Sequence, residues 1–346
     1  MAVHIREADL HSDRRLIIEL LYRHLTRQSD GYRFDWLYLN NPFGQARVWI
    51  ATDIQTRSAV GMVSAFPRRI YIRGREELGW VLGDFCIHEK YRSLGPALQL
   101  QRACFAAADS ARVAFCYDFP SLSMTAIYQR LQIHPFGQMV RLARPLRVDR
   151  KVREMVKIPI LAQGLSKAGN LLLRLYDPYP GVNPALTISF LDGKFGEEFS
   201  LLAQEVGSRY EVCLQRSAEY LNWRYLANPL GHYEVLTARQ GEALLAYVIF
   251  AHTGEDAALV DLFGIQDHKV IKSLVNYAGV LLRKRGVITV SISLLASHPW
   301  VALLQDSGFK AREASPVVVY TSSLFTLEPM TFDPGNWFLI QGDRDS

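Results

Sequence analysis

The chain has 346 residues, enough for about two domains at the usual ~150 residues each. Its 49% hydrophobic and 21% charged content, with a mean hydropathy of +0.01, excludes a disordered chain, a collagen and a coiled coil. The net charge of +5 is too small to demand nucleic acid, though it suits an anionic ligand.

In chain order, residues 3–6 read as a short strand. Residues 13–27 place Leu16, Ile17, Leu20, Leu21 and Leu25 on one face of an amphipathic helix. Strands follow across 48–72, with Gly74 supplying a turn. Residues 81–87 form a largely apolar strand, 96–110 a helix, 113–117 another apolar strand, 124–131 a helix and 138–144 a last strand. Helices and strands alternate and the central strands are apolar on both faces, which predicts an α/β fold with a mixed sheet covered on both sides. Residues 144–179 then read as a connector. Its first part, RPLRVDRKVREMVK, holds six basic and two acidic residues. The remainder, 160–175, is an apolar-striped helix, expected to bridge and pack across both domains. The lesser alternative is a membrane-surface helix; against it, Pro159 breaks the stripe and the basic cluster lies beside the apolar part rather than opposite it. A second unit starts near 186–192, continues with a helix over 197–205 and ends near Tyr320. The tail is expected to fold back through Trp337 and Phe338. The division is thus 1–145, a connector 146–185, 186–325, and a tail 326–346.

Cys86, Cys104, Cys116 and Cys213 are too few in so long a chain for a disulfide framework and read as buried thiols of a reducing compartment. The N-terminal MAVHIREADLHSDRR has no apolar core for a signal peptide, and no uncharged apolar stretch approaches the ~20 residues of a membrane span. The expectation is a cytoplasmic protein without a membrane span. The nine His show no metal-ligand spacing, so no metal is expected.

An internal repeat fixes the count of units. Trp36-Leu37-Tyr38-Leu39-Asn40-Asn41-Pro42-Phe43-Gly44 recurs as Trp223-Arg224-Tyr225-Leu226-Ala227-Asn228-Pro229-Leu230-Gly231, at a constant offset of 187. Each copy runs through two strand-like segments to an Asp that opens an apolar run, Asp84-Phe85-Cys86-Ile87 and Asp261-Leu262-Phe263-Gly264-Ile265. Because the Trp and Tyr recur in both copies, they read as anchors of a helix–loop corner, with Asn-Pro-x-Gly as the turn; the lesser alternative is that Trp36 and Tyr38 edge a substrate cleft.

The segment that carries chemistry is 84–97. An apolar strand leads into Arg92-Ser93-Leu94-Gly95-Pro96-Ala97 and then a helix. Strand, glycine turn and helix N-terminus present consecutive backbone N–H groups to a phosphate. Gly95 removes the side chain where a ligand must approach, Ala97 keeps the next position small, and Pro96 suits a first helical turn. Arg92 adds a cation. A helix end contributes only ~0.3–1 kcal/mol per charge, so further affinity must come from a ligand pairing along Phe85, Cys86 and Ile87.

Arg92-x-x-Gly95-x-Ala97 after an apolar strand resembles the pyrophosphate loop of the GCN5-related N-acetyltransferase (GNAT) family. Ser121 followed by Ala126-Ile127-Tyr128-Gln129-Arg130-Leu131 is similar to that family's Asn-x-x-Ala-x-x-Tyr-x-x-x-Gly-Phe region, with Ser for Asn and Gln132-Ile133 for Gly-Phe. The second copy ends in Gly308-Phe309, but reads Gln266-Asp267-His268-Lys269 where the loop would be, with Leu304 at the place of Tyr128. The resemblance implies two tandem GNAT-like units, the first holding acetyl-CoA as co-substrate through Phe85–Ala97, the second keeping the fold alone or binding the acceptor. It implies acyl transfer to an amine of a small molecule, sugar or peptide by direct attack in a ternary complex. Tyr128 is then the candidate acid for the departing sulfur. Asp84 is the candidate base, although Asp261 at the matching place in the other copy favours a structural role; Glu89 is a weaker candidate. Cys86 and Cys116 read as packing. Arg68, Arg69, Arg73 and Arg75 read as a solvated hairpin face. The alternative function is a non-catalytic module that binds acyl-CoA or a partner. The oligomeric state is left open.

Overall fold

Elements of the first half recur in the second in the same order. The first half runs β1 (Val3–Glu7), α1 (Arg14–His24), α2 (Gly31–Phe34), β2 (Arg47–Asp53), β3 (Ala59–Ile72), β4 (Arg75–Ile87), α3 (Leu94–Ser110), β5 (Phe115–Asp118), α4 (Leu122–Arg130) and β6 (Pro135–Pro145). Two connector helices follow, α5 (Asp149–Met155) and α6 (Pro159–Leu175). The second half runs β7 (Thr187–Phe190), α7 (Glu197–Gly207), β8 (Val212–Leu214), α8 (Ala218–Leu221), β9 (Glu234–Gln240), β10 (Ala243–Thr253), β11 (Asp256–Gly264), α9 (His268–Lys284), β12 (Thr289–Leu295), α10 (Trp300–Asp306) and β13 (Lys310–Thr321), with β14 (Trp337–Phe338) in the tail. Only β8 has no counterpart among these first-half elements. The structure, a computed structural model, describes residues 2–92, 94–175, 185–321 and 333–344.

The mixed α/β architecture is as expected, but the strands do not sort by half. The sheet order is β1-β2-β3-β4-β5-β13-β6-β12-β11-β10-β9-β7. The two halves exchange their last strands. β13 sits between β5, with Val318 opposite Asp118, and β6, with Pro316 opposite Gln138. β6 in turn lies antiparallel to β12, with Leu142 opposite Ile292. β3 is twice as long as β2, and its free end, Ile70–Ile72, pairs with β8. Neither half completes its sheet from its own residues.

The repeated motif explains itself locally. In each copy Trp and Tyr lie in a single π-helical turn, Asp35–Leu39 and Asn222–Leu226. Each turn is followed by an Asx turn, in which Asn41 accepts from the Phe43 amide and Asn228 from that of Leu230. The two copies meet on these turns. Trp36 Nε1 donates to the Trp223 carbonyl and Trp223 Nε1 to that of Trp36, both at 2.9 Å, with the rings stacked at 5.2 Å. Trp36, Tyr38, Trp223 and Tyr225 are all buried and do not edge a cleft; the two Trp hold the halves together, while Tyr38 and Tyr225 donate to Asp84 and Asp261 of their own halves.

Two expectations need correction. Arg68 is not on a solvated face: it is 1% exposed, with its guanidinium over the rings of Tyr220 and Trp223 at 5.7 and 5.6 Å. Its β3 position points into the seam between the halves, which charge patterning alone does not reveal. Arg224 mirrors it over Trp36 at 5.8 Å. The connector helix is not packed by its apolar stripe either. α5 does bridge to the second half, through Arg150 and Arg153 to Glu255. α6, however, turns Ala162, Ser166 and Gly169 inward and leaves Ile160, Leu161, Leu165, Leu171 and Leu172 exposed. Small residues permit close approach, and a Cβ on Gly169 would meet Val148 at 2.7 Å.

The tail folds back as expected, with Trp337 and Phe338 fully buried. Ile340 bridges Leu294 on β12, and the Leu295 amide donates to the Leu339 carbonyl. Gly342 packs so tightly against Tyr225 and Asp261 that a Cβ there would meet the Tyr225 hydroxyl. Among the described residues no helix is long and apolar enough to cross a membrane.

Candidate functional site

β4 and β5 are parallel neighbours, but they pair only from Gly79–Val81 to Phe115–Tyr117. Beyond Val81 they diverge. A register shift between Met62 and Ser64 on β3 throws β4 outward, and Asp84 at that bulge has φ +47°, a left-handed backbone that costs a non-glycine residue about 1 kcal/mol or more. On the other side β5 ends at Asp118 and the chain turns into α4. Ser121 caps that helix, its hydroxyl accepting from the Met124 amide at 3.3 Å. The Ser that replaces the expected Asn thus serves as an N-cap.

The divergence opens a cleft of about 540 Å³. Phe85, Cys86 and Ile87 line it from β4, Arg92 and Ala97 from the start of α3, and Met124, Ala126 and Ile127 from α4. Five of the nine expected cofactor residues therefore come together. Of the others, Pro96 is buried beside Ala97, and a Cβ on Gly95 would have nothing within 4 Å. Ser93 lies outside the described residues, as does the side chain of Leu94. The sequence reading missed His24, which reaches the cleft from α1; burial and neighbouring positive charge lower its pKa.

A second cavity of about 190 Å³ shares Phe85 and Met124 with the cleft. Its polar lining is Asp84, Gln101, Asp118, Ser121, Tyr128 and Arg344. Tyr128 is buried and donates to Asp118 at 2.6 Å; burial and the Asp118 charge push its pKa well above 10. Gln101 is fully buried, and neither of its amide atoms has a hydrogen-bond partner among the described residues. A buried amide without partners costs ~1–3 kcal/mol, so this cavity is built to meet something polar.

Asp84 is otherwise engaged. Arg33 holds both of its oxygens at 2.8 Å, and the Tyr38 hydroxyl donates to the same carboxylate. A proton arriving there would have to displace a buried guanidinium. Glu89 is exposed on a 3₁₀ turn and lines neither cavity. The four cysteines are buried, and burial holds the Cys86 thiol up at about 12, far from a thiolate. Among the described residues no group of three His, Cys, Asp or Glu could hold a metal ion.

The second half has closed the equivalent places. β11 and β12 also stop pairing early, at Leu259 and Ile292, but the tail occupies the split. Where α3 offers its N-terminus, α9 is capped by its own acid: the Asp267 carboxylate accepts from the amides of Lys269 at 2.7 Å and Val270 at 3.4 Å. An anion is already built in.

No protein-family model and no curated protein sequence matches this chain. Solved structures do. An Enterococcus faecalis protein of unknown function, described as a probable N-acyltransferase, superposes with a TM-score of 0.69 at 13% identity, over 94% of this chain and 74% of that one. A GCN5-related N-acetyltransferase from Anabaena variabilis gives 0.66 at 11%, over 93% and 74%. Saccharomyces cerevisiae N-myristoyltransferase with bound myristoyl-CoA gives 0.60 at 12%, over 97% and 89%. The chain therefore has the GNAT fold, repeated in tandem along nearly its whole length.

Proposed function

We propose that the protein is an N-acyltransferase that moves a short acyl group from acyl-CoA to an amine, at a single site built on the first half and completed by Arg344 of the tail. The observation that carries this is the β4–β5 split, which joins a cleft at the α3 N-terminus to a smaller polar cavity. The diphosphate would lie on the α3 amides of residues 94, 95 and 97 with Arg92 beside it, and the pantetheine arm along Phe85, Cys86 and Ile87. The fold likeness to an N-myristoyltransferase with bound myristoyl-CoA supports acyl-CoA as the class of co-substrate. A long acyl chain fits poorly, because hydrocarbon there would leave the buried Gln101 amide without any partner, beside Asp118 and Tyr128. An acetyl or similarly short group would leave room for the acceptor amine.

The chemistry needs three proton movements. A primary amine near pKa ~10 arrives protonated at neutral pH and must lose that proton before it attacks the thioester carbon. Attack forms the C–N bond, collapse breaks the C–S bond and leaves a thiolate to be neutralised, and the nitrogen gives up its second proton to solvent. Asp118, rather than Asp84, is the proton acceptor in this reading. Tyr128, hydrogen-bonded to Asp118, gives its proton to sulfur and is refilled from Asp118. Because its pKa is high, no free tyrosinate accumulates, and the two transfers are coupled. Gln101 supplies a donor and an acceptor to the bound polar groups.

The test is thermal unfolding with increasing CoA and acetyl-CoA. At a ligand concentration of 100 Kd, the wild type should gain about 2.7 kcal/mol. Gly95→Val should lose this gain, since its side chain would occupy the approach of the diphosphate, while its unliganded melting temperature stays at or above that of the wild type, there being open space for the new atoms. A wild type that does not shift with either compound overturns the proposal. Cys86→Ala should keep turnover within a few-fold, read as CoA release; complete loss would instead require a covalent acyl-cysteine.

A further inference from the structure

The α5–α6 connector is set apart by charge and by exposure. Residues 149–175 hold six Arg or Lys against two Asp or Glu, a net +4 in a chain whose total is +5. Most of the excess positive charge is thus in less than one-tenth of the sequence. α6 spans about 25 Å at 1.5 Å per residue. Its outward face is a continuous aliphatic strip, Ile160, Leu161, Leu165, Leu171 and Leu172, with each side chain between 52% and 82% exposed. Such a strip exceeds the scattered apolar exposure of an ordinary surface.

Folding brings the two features together. In sequence the basic cluster lies beside the stripe; in three dimensions α5 turns back along α6, fastened by the Val148 amide to Asn170 at 2.8 Å. Lys157 and Arg153 on one side and Lys167 on the other then line a cleft of about 520 Å³ at the edge of the strip. Lys151, Lys157 and Lys167 are exposed and have no ion pair among the described residues. An exposed strip of Ile and Leu beside uncommitted lysines matches a lipid interface better than a protein partner, whose contact sites favour Trp, Tyr and Arg over Leu and Lys.

We propose that α5 and α6 form a docking surface for an anionic phospholipid bilayer, with the leucines of α6 entering the acyl boundary and phospholipid phosphates held by Lys151, Lys157 and Lys167. The helix lies in the plane of the surface and does not span it.

The test is sedimentation of the full chain with vesicles of phosphatidylcholine alone and of phosphatidylcholine mixed with phosphatidylglycerol. The wild type should partition onto the mixed vesicles about tenfold or more over the neutral ones, and added salt should weaken this. Leu161→Gln/Leu165→Gln/Leu172→Gln and Lys151→Glu/Lys157→Glu/Lys167→Glu should each reduce partitioning about tenfold or more. All the substituted side chains are exposed, so the melting temperature and its response to CoA should be unchanged, which keeps this result separate from that of the acyl-transfer assay. Equal binding to both vesicle types, no binding, or binding that survives both triple substitutions overturns the proposal. A concentration-dependent dimer that the leucine substitutions abolish, with no vesicle binding, also overturns it and assigns the strip to a second copy.

Discussion

Asp118→Asn should lower the turnover number about 10²–10⁴-fold, the usual contribution of a positioned general base, while acyl-CoA still stabilises the protein as it does the wild type. The substitution keeps size and hydrogen-bonding capacity beside Tyr128, so the 2.6 Å contact can persist while the proton acceptor is lost. Tyr128→Phe should also slow turnover. The double substitution should cost little more than Asp118→Asn alone, because the two act as one relay and such units are not additive. The measurement is CoA release at saturating acyl-CoA and amine. Turnover of Asp118→Asn within threefold of the wild type would remove it from the relay.

Asp84→Asn should fail differently. Arg33 and Asp84 are each 4% exposed in their side chains, and removing one charge of such a pair costs about 3–5 kcal/mol, since the other is left in a poor solvent. Tyr38 loses its acceptor in the same step. The loss should appear as a lowered urea midpoint with an unchanged slope, in the absence of any ligand. If Asp84 were instead the catalytic base, stability would hold and turnover would collapse. The pair of substitutions therefore separates a carboxylate that clamps the strained bulge from one that moves protons.

Much of the fold was legible because its signals are local. The Trp-x-Tyr-x-x-Asn-Pro-x-Gly repeat encodes a π turn and an Asx turn within a dozen residues, and Gly74, at φ +75°, is the hairpin turn its sequence suggests. The cleft was legible for the same reason, since Phe85 to Ala97 form one strand–turn–helix unit. The second cavity was not. Asp118 closes an apolar strand and reads as its solvated end, Gln101 is a single polar residue on an apolar helix, and Arg344 arrives from a tail more than 200 residues away. Only tertiary pairing makes neighbours of them. The outward face of α6 was misread because an apolar stripe specifies that a face avoids water, without specifying what covers it. The strand exchange was equally hidden: β6 and β13 both suit a half-buried sheet, and nothing in either names its neighbour.

That exchange has a bearing on how the protein is made. β5, which carries Asp118, has no partner on one flank until residues 318–321 arrive, and β6 cannot settle between β12 and β13 before both have left the ribosome. The second cavity is therefore completed only once residues 318–321 and Arg344 have been made, and a nascent polypeptide that stops short of them carries the whole 85–97 segment without it. Pairings that join residues some 200 positions apart also slow the search for the native state, so this cavity is timed by synthesis of the second half rather than by the appearance of Asp118 and Tyr128.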